Sequence, residues 1–256
     1  MGRANERFRD IRKLSLILTM AGKGTRTAIN YIEPKPLIMV HGHPLFAWAL
    51  AGLPFDFADE LHIITSLEVS ARLDLKRVVR RYIPDHLQVN LRILNKDTSG
   101  QAASVMAGLS DFKTENGILV FNCDTLISND FPSDYNDFDG LLGTFESENP
   151  ELSYVSSKLN VVSETAEKSR ISSNASSGLY YFGSKYLFED AFHGTHHVKE
   201  TYVAPLFNHL ISSGSKVGSF EHSAVLPLGT SKEIAWFQSL PTNPLVNNGG
   251  ILELNT

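Results

Sequence analysis

Four short aliphatic runs recur through the first half of the chain: "LSLILTM" (14–20), "LHIITS" (61–66), "VNLRIL" (89–94) and "GILVFNC" (117–123). The segments between them are long enough for crossovers, and strands joined by crossovers pair in parallel. Apolar positions such as Val69, Leu73, Val79 and Ile83 fall on one helical face, so helices are expected at about 44–53, 68–83 and 101–112. The expectation is an α/β fold with a mostly parallel central sheet flanked by helices. In such sheets ligands gather at the carboxyl ends of the strands.

The second half is less regular. Strand-like runs at about 140–145, 153–162 and 178–182 alternate with polar connectors, and amphipathic helices are expected at about 186–192 and 201–212. The chain has 256 residues, 42% hydrophobic and 20% charged, enough for one large core. A net charge of -5 offers no basic excess for a nucleic-acid backbone. One cysteine, Cys123, excludes an internal disulfide and fits a reducing compartment. The basic leader before residue 14 is diluted by Glu6 and Asp10, and no run reaches the ~18 apolar residues of a membrane span. A cytoplasmic protein without membrane partners is expected, and self-association is left open.

After the first strand comes "MAGKGTRTAINYIEPKPLI" (20–38), a glycine-rich turn with Lys23 and Arg26, then Lys35 fenced by Pro34 and Pro36. Glycines let backbone N–H groups approach an anion, and lysine or arginine beside them supplies counter-charge, so the loop reads as a phosphate site. It is not a P-loop, because Lys23 precedes Gly24 and does not follow a second glycine. It is not a dinucleotide fingerprint either, because Thr27 stands where the third glycine belongs. Considered without a partner motif, the same residues describe a tight surface turn with solvated charges.

The combination of G-x-G-T-R with P-K-P-L-I resembles the nucleotidyltransferases of the sugar-nucleotide pyrophosphorylase type, in particular the PKPLI variant found in capsule and surface-polysaccharide pathways. "TSGQAASV" (98–105), "FNCDTLI" (121–127), "ETAEKSRIS" (164–172), "ASSGLYYF" (175–182) and "ETYVAPLFNHLISSG" (200–214) extend the resemblance over about residues 14–234. It implies a Rossmann-like, GT-A-like domain over about 14–240, with a nucleotide half to about 130 and an acceptor lobe from about 131. Residues 1–13 and 241–256 then form an extension and a turn-rich tail. The implied partners are a nucleoside triphosphate and a phosphorylated small molecule, most simply a sugar 1-phosphate, with Mg²⁺ as cofactor. Cytidylyl transfer to a phosphoamine or phosphoamide, glycosyl transfer and an inactive nucleotide-binding homologue are the alternatives.

By the same resemblance Ala21, Gly22, Gly24 and Thr25 cradle the triphosphate, while Gly100 and Gln101 lie near the base. Arg26 and Lys35 neutralise the transferring phosphates, as the residue types suit. Asp124 is the expected Mg²⁺ ligand, although a lone aspartate after a strand is ordinarily a turn or cap. Glu167 and Lys168 are expected to meet the acceptor's hydroxyls and phosphate, and Gly178 to leave it room. Gly100 has a second reading as a helix start, and Glu167–Lys168 as an exposed charge pair. Pro227 stands where many relatives carry a second metal-binding aspartate, so Mg²⁺ leans on Asp124 and phosphates, or Glu221 substitutes, or activity is impaired. The histidines, including "HGTHH" (193–197), have no zinc-site spacing.

Overall fold

A computed structural model describes residues 13–24, 27–109, 112, 115–197 and 200–241. The expected first strand is β1 (Leu14–Met20), buried on both faces. Leu14, Leu16, Leu18 and Met20 enter one core cluster and Ile17 the other, which is what a two-residue period does inside a covered sheet. After two short strands, β2 (Met39–Val40) and β3 (His43–Pro44), and helix α1 (Leu45–Ala51), the chain returns as β4 (Ala58–Ser66). Then follow α2 (Leu67–Arg72), α3 (Leu75–Val79), β5 (Gln88–Leu94), α4 (Gln101–Leu109), β6 (Gly117–Asn122) and β7 (Thr125–Ile127). The single helix expected at 68–83 is broken because Leu73 is extended and Asp74 caps a new helix by accepting from Arg77 N–H.

The second half runs β8 (Gly140–Glu146), β9 (Ser153–Lys158), β10 (Val161–Glu167), β11 (Asn174–Phe182), α5 (Lys185–Gly194), α6 (Leu206–Ser212), β12 (Val217–Glu221), β13 (Val225–Pro227) and α7 (Ser231–Ser239). The one strand expected at 153–162 is a hairpin that turns at Leu159 and Asn160, both at positive φ. The helix expected from 201 begins only at 206, after Pro205.

Among the described residues the main sheet has nine strands in the order β5-β4-β1-β6-β11-β8-β12-β10-β9. The α/β class holds, with the parallel pairing concentrated in β5-β4-β1-β6. Beyond β6 the pairing is antiparallel except between β8 and β12. Strand β9 also pairs with β11 at Tyr154 and Ala175, so the antiparallel half curls into a wall. A third cluster, with Ile38, Val40, Trp48, Leu228, Ile234 and Phe237, fastens α7 beneath the segment that follows Lys35. No helix among the described residues is long and apolar enough to cross a membrane.

Candidate active site

At the carboxyl ends of β1 and β6 lies a cavity of about 600 Å³, lined by Ala21, Gly22, Gly24, Lys35, Gln101 and Asp124 among others. Gly24 has φ +59°, and a Cβ on it would sit 3.0 Å from that of Lys35. Its carbonyl accepts from the N–H groups of Thr27 and Ala28 and from the Thr27 hydroxyl, which closes the turn. Gly22 differs, since a Cβ there would meet nothing within 4 Å and packing does not demand glycine. Thr25 and Arg26 lie outside the described residues. Lys23 reaches across the mouth to Asp97 at 3.0 Å.

The Pro34–Pro36 frame puts Lys35 at the start of a 3-10 turn (Lys35–Leu37). Its ammonium pairs with Asp124 Oδ2 and donates to the Gly229 carbonyl at 2.9 Å. The two side chains are only 9% and 16% exposed. The other Asp124 oxygen accepts from Asn122 Nδ2 at 2.6 Å, and Leu228 N–H donates to the Asp124 carbonyl. Pro227 faces Thr125 across the β7–β13 ladder, and Glu221 is absent from the lining of both cavities described here.

No group of three His, Cys, Asp or Glu among the described residues is close enough to hold a metal ion. A single carboxylate at this wall is compatible only with a cation that takes most of its shell from phosphates and water, as Mg²⁺ commonly does. Asp124 would be that carboxylate. Neighbouring Cys123 is buried, and burial with the Asp124 charge pushes its thiol up to about 12, so it is no nucleophile.

Gly100 does start α4, its carbonyl accepting from Ser104 N–H. It also stitches the halves together: Thr201 N–H donates to Ser99, and Ala102 N–H donates to Thr201, each at 3.0 Å. Gln101 donates to the Thr19 hydroxyl and lines both this cavity and a second one of about 390 Å³. Asn122, Glu200 and Tyr202 also belong to both, so the two form one cleft.

The second cavity holds Glu167, Lys168 and Gly178 together. Lys168 turns the chain at φ +52°, pairs with Glu151 at 3.6 Å and lies 5.7 Å from the centroid of the Tyr202 ring. Gly178, at φ +87°, is glycine for a reason not anticipated. A Cβ there would lie 2.6 Å from Asn122 Oδ1, so the room it leaves is taken by the Asn122 amide. The short motifs at 122 and 200–202 contain these further lining residues, but nothing local in them reveals that they meet.

Burial holds the Glu167 carboxyl above its ordinary range, against the lowering effects of the Ser153 hydroxyl and Lys168. Ionising Glu167 therefore costs stability at pH values above the raised pKa, and the cost vanishes below the ordinary carboxylate range. Glu167→Gln should melt above the native protein at about pH 8, with the gap closing toward about pH 4. A gap that stays constant across that span contradicts the assignment.

No family model matches the chain, and no curated protein matches it in sequence. Solved structures do. Its fold is the nucleotidyltransferase fold. A nucleoside-diphosphate-sugar pyrophosphorylase from Vibrio cholerae RC9 is 26% identical, with a TM-score of 0.76 over 88% of this chain and 100% of that one. An inositol-1-phosphate CTP transferase from T. maritima has 14% identity and a TM-score of 0.73 over 91% and 97% of the two chains. A UDP-glucose pyrophosphorylase from Acinetobacter baumanii has 14% identity and 0.71 over 88% and 92%. These likenesses run over nearly the full length of both chains, so the fold is shared as a whole and not over a fragment.

Proposed function

We propose that this protein transfers a nucleoside monophosphate from a nucleoside triphosphate to a phosphorylated small molecule in the cytoplasm, releasing pyrophosphate. A sugar 1-phosphate on the way to a surface or capsular polysaccharide is the acceptor class favoured by the PKPLI resemblance. The observation that carries the reading is the meeting of Lys35 and Asp124, from segments 89 residues apart, at the wall of a cleft whose other end holds Glu167 and Lys168.

An acceptor phosphate oxygen would attack the α-phosphorus as the bond from that phosphorus to the bridging oxygen breaks. The electron pair leaves with pyrophosphate. Such a displacement needs two anions aligned and neutralised more than it needs covalent help. The glycine loop would receive the triphosphate, Lys35 would turn from Asp124 toward the charge on the transferring group, and Lys168 would hold the acceptor phosphate. Mg²⁺ on Asp124 would supply further neutralisation of the phosphates. Arg26 is proposed for the departing pyrophosphate.

The test is a screen of CTP, UTP, dTTP, ATP and GTP against phosphorylated acceptors with Mg²⁺. Pyrophosphate should form only when all three are present. Release from no combination would remove the reading.

A further inference from the structure

Ser153, Glu167, Ser176 and Tyr180 all line the second cavity, from strands β9, β10 and β11. They are joined in a row. The Ser153 hydroxyl donates to Glu167 Oε2, and the Tyr180 hydroxyl is hydrogen-bonded to both Ser153 and Ser176. Gly178 N–H donates to Ser176 Oγ at 3.1 Å. Strand β11 shifts register against β8 between Ser176 and Tyr180, and a bulge of that kind re-aims side chains.

Each hydroxyl has one proton to give, and that fixes the direction of every bond in the row. Ser153 spends its own on Glu167, so Tyr180 must donate to Ser153. Ser176 must then donate to Tyr180, while its oxygen accepts from Gly178. All the bonds therefore point at the Glu167 carboxyl, and hydrogen bonds aligned head to tail in a shielded site polarise one another. Tyr180 is only 5% exposed, and burial pushes its phenol up to about 12, so at neutral pH it holds its proton as a donor.

We propose that Tyr180 is a positioning residue, which acts through Ser153 to fix the Glu167 carboxyl with Oε2 occupied, so that Oε1 is left to accept from a hydroxyl of the acceptor. The consequence for the acceptor rests on the nucleotidyl-transfer reading; the chain itself does not. A phenol that only filled the core beside Phe207, whose ring centroid is 5.9 Å away, would have no effect on a carboxyl. The two roles differ in pH dependence. Without the Tyr180 donor, Ser153 is a weaker donor in turn, ionised Glu167 is held less well, and its raised pKa rises further. The charged groups facing Glu167 are Lys168, which lowers its pKa, and Glu200 and Glu151, which raise it, and the variants below leave all three in place. The added cost of ionising Glu167 is therefore present at high pH and absent below the ordinary carboxylate range.

Thermal melting of Tyr180→Phe, with and without Glu167→Gln, tests the chain. The loss in Tm should be at least about 3 °C larger at about pH 8 than at about pH 4, and this extra loss should vanish in the Glu167→Gln background. Ser176→Ala, which keeps the Tyr180 ring packed, should show the same pattern at smaller size, and it decides the matter if Tyr180→Phe does not fold. A loss that is equal at both pH values and additive with Glu167→Gln overturns the proposal. Pyrophosphate release with glucose 1-phosphate and with glycerol phosphate tests the consequence. In Tyr180→Phe the acceptor KM should rise about tenfold while kcat and the nucleotide KM stay within about threefold, and the pH limb of kcat/KM should move upward. Coupling in the melts with an unchanged acceptor KM overturns the positioning role. If the melts show the coupling and no acceptor is turned over, the chain stands and the transfer reading falls.

Discussion

Lys35→Met and Asp124→Asn are each expected to lower the rate by more than about 100-fold and also to destabilise the fold, whereas the double variant regains stability and stays inactive. A lysine in a loop is usually dispensable to stability, but this one is 9% exposed and its partner 16%. Removing either partner strands the other charge in a largely dry site, at a cost of about 3 kcal/mol. Removing both leaves a neutral pair of similar shape, so the two stability losses should be far from additive. Activity follows a different rule, because neither substitute carries the charge that the transferring phosphate or its cation requires. Thermal melting and pyrophosphate release on the four proteins separate these effects. Strictly additive losses in melting would show that the pair is not a unit. Asp124→Asn that keeps most of its activity at low Mg²⁺ would place the catalytic centre elsewhere.

Gly100→Ala should be nearly as damaging, through geometry and not charge. The new Cβ would lie 2.6 Å from the carbonyl oxygen and 2.7 Å from the nitrogen of Thr201, and neither is the tip of a flexible side chain. The backbone at Gly100 has φ +154°, which adds strain. Residue 201 must therefore move away, breaking the hydrogen bonds from Thr201 to Ser99 and from Ala102 to Thr201. A loss of about 2–4 kcal/mol is expected, with weaker nucleotide binding, because Gln101 follows directly. A variant that melts within about one degree of the native protein would mean that the two segments separate at little cost.

The central parallel strands β1 and β6 were legible because burial on both faces turns each into a nearly unbroken aliphatic run, and edge strand β5 showed more weakly because it is half-exposed. The motifs "PKP" and "NCD" likewise named Lys35 and Asp124, whose side chains do meet. What stayed hidden depends on partners far away in sequence or on backbone angles that side chains do not announce. Leu159 at positive φ turns a hairpin where no Asn-Gly signal stands. The helical period through 68–83 looks continuous because the break at Leu73 needs only one extended residue ahead of a cap. Helix α7 had a readable start in the Thr230 and Glu233 capping box, which is formed in full. Glu200 and Tyr202 reach the cleft beside Asn122 because the Thr201 backbone is hydrogen-bonded to Ser99 and Ala102, a long-range contact that no local pattern encodes.

The placement of α7 bears on how the molecule is born. Strands β1, β4, β5 and β6 have all been synthesised once Asn122 has emerged, yet Lys35 still lacks the Gly229 carbonyl, 194 residues downstream of it. The floor beneath the following segment is also incomplete until Ile234 and Phe237 arrive. On the proposed function, phosphate capture is thereby tied to Gly229 and to α7 just after it, the last helix among the described residues. On that reading a half-made chain can own a sheet without yet owning a grip on nucleotide.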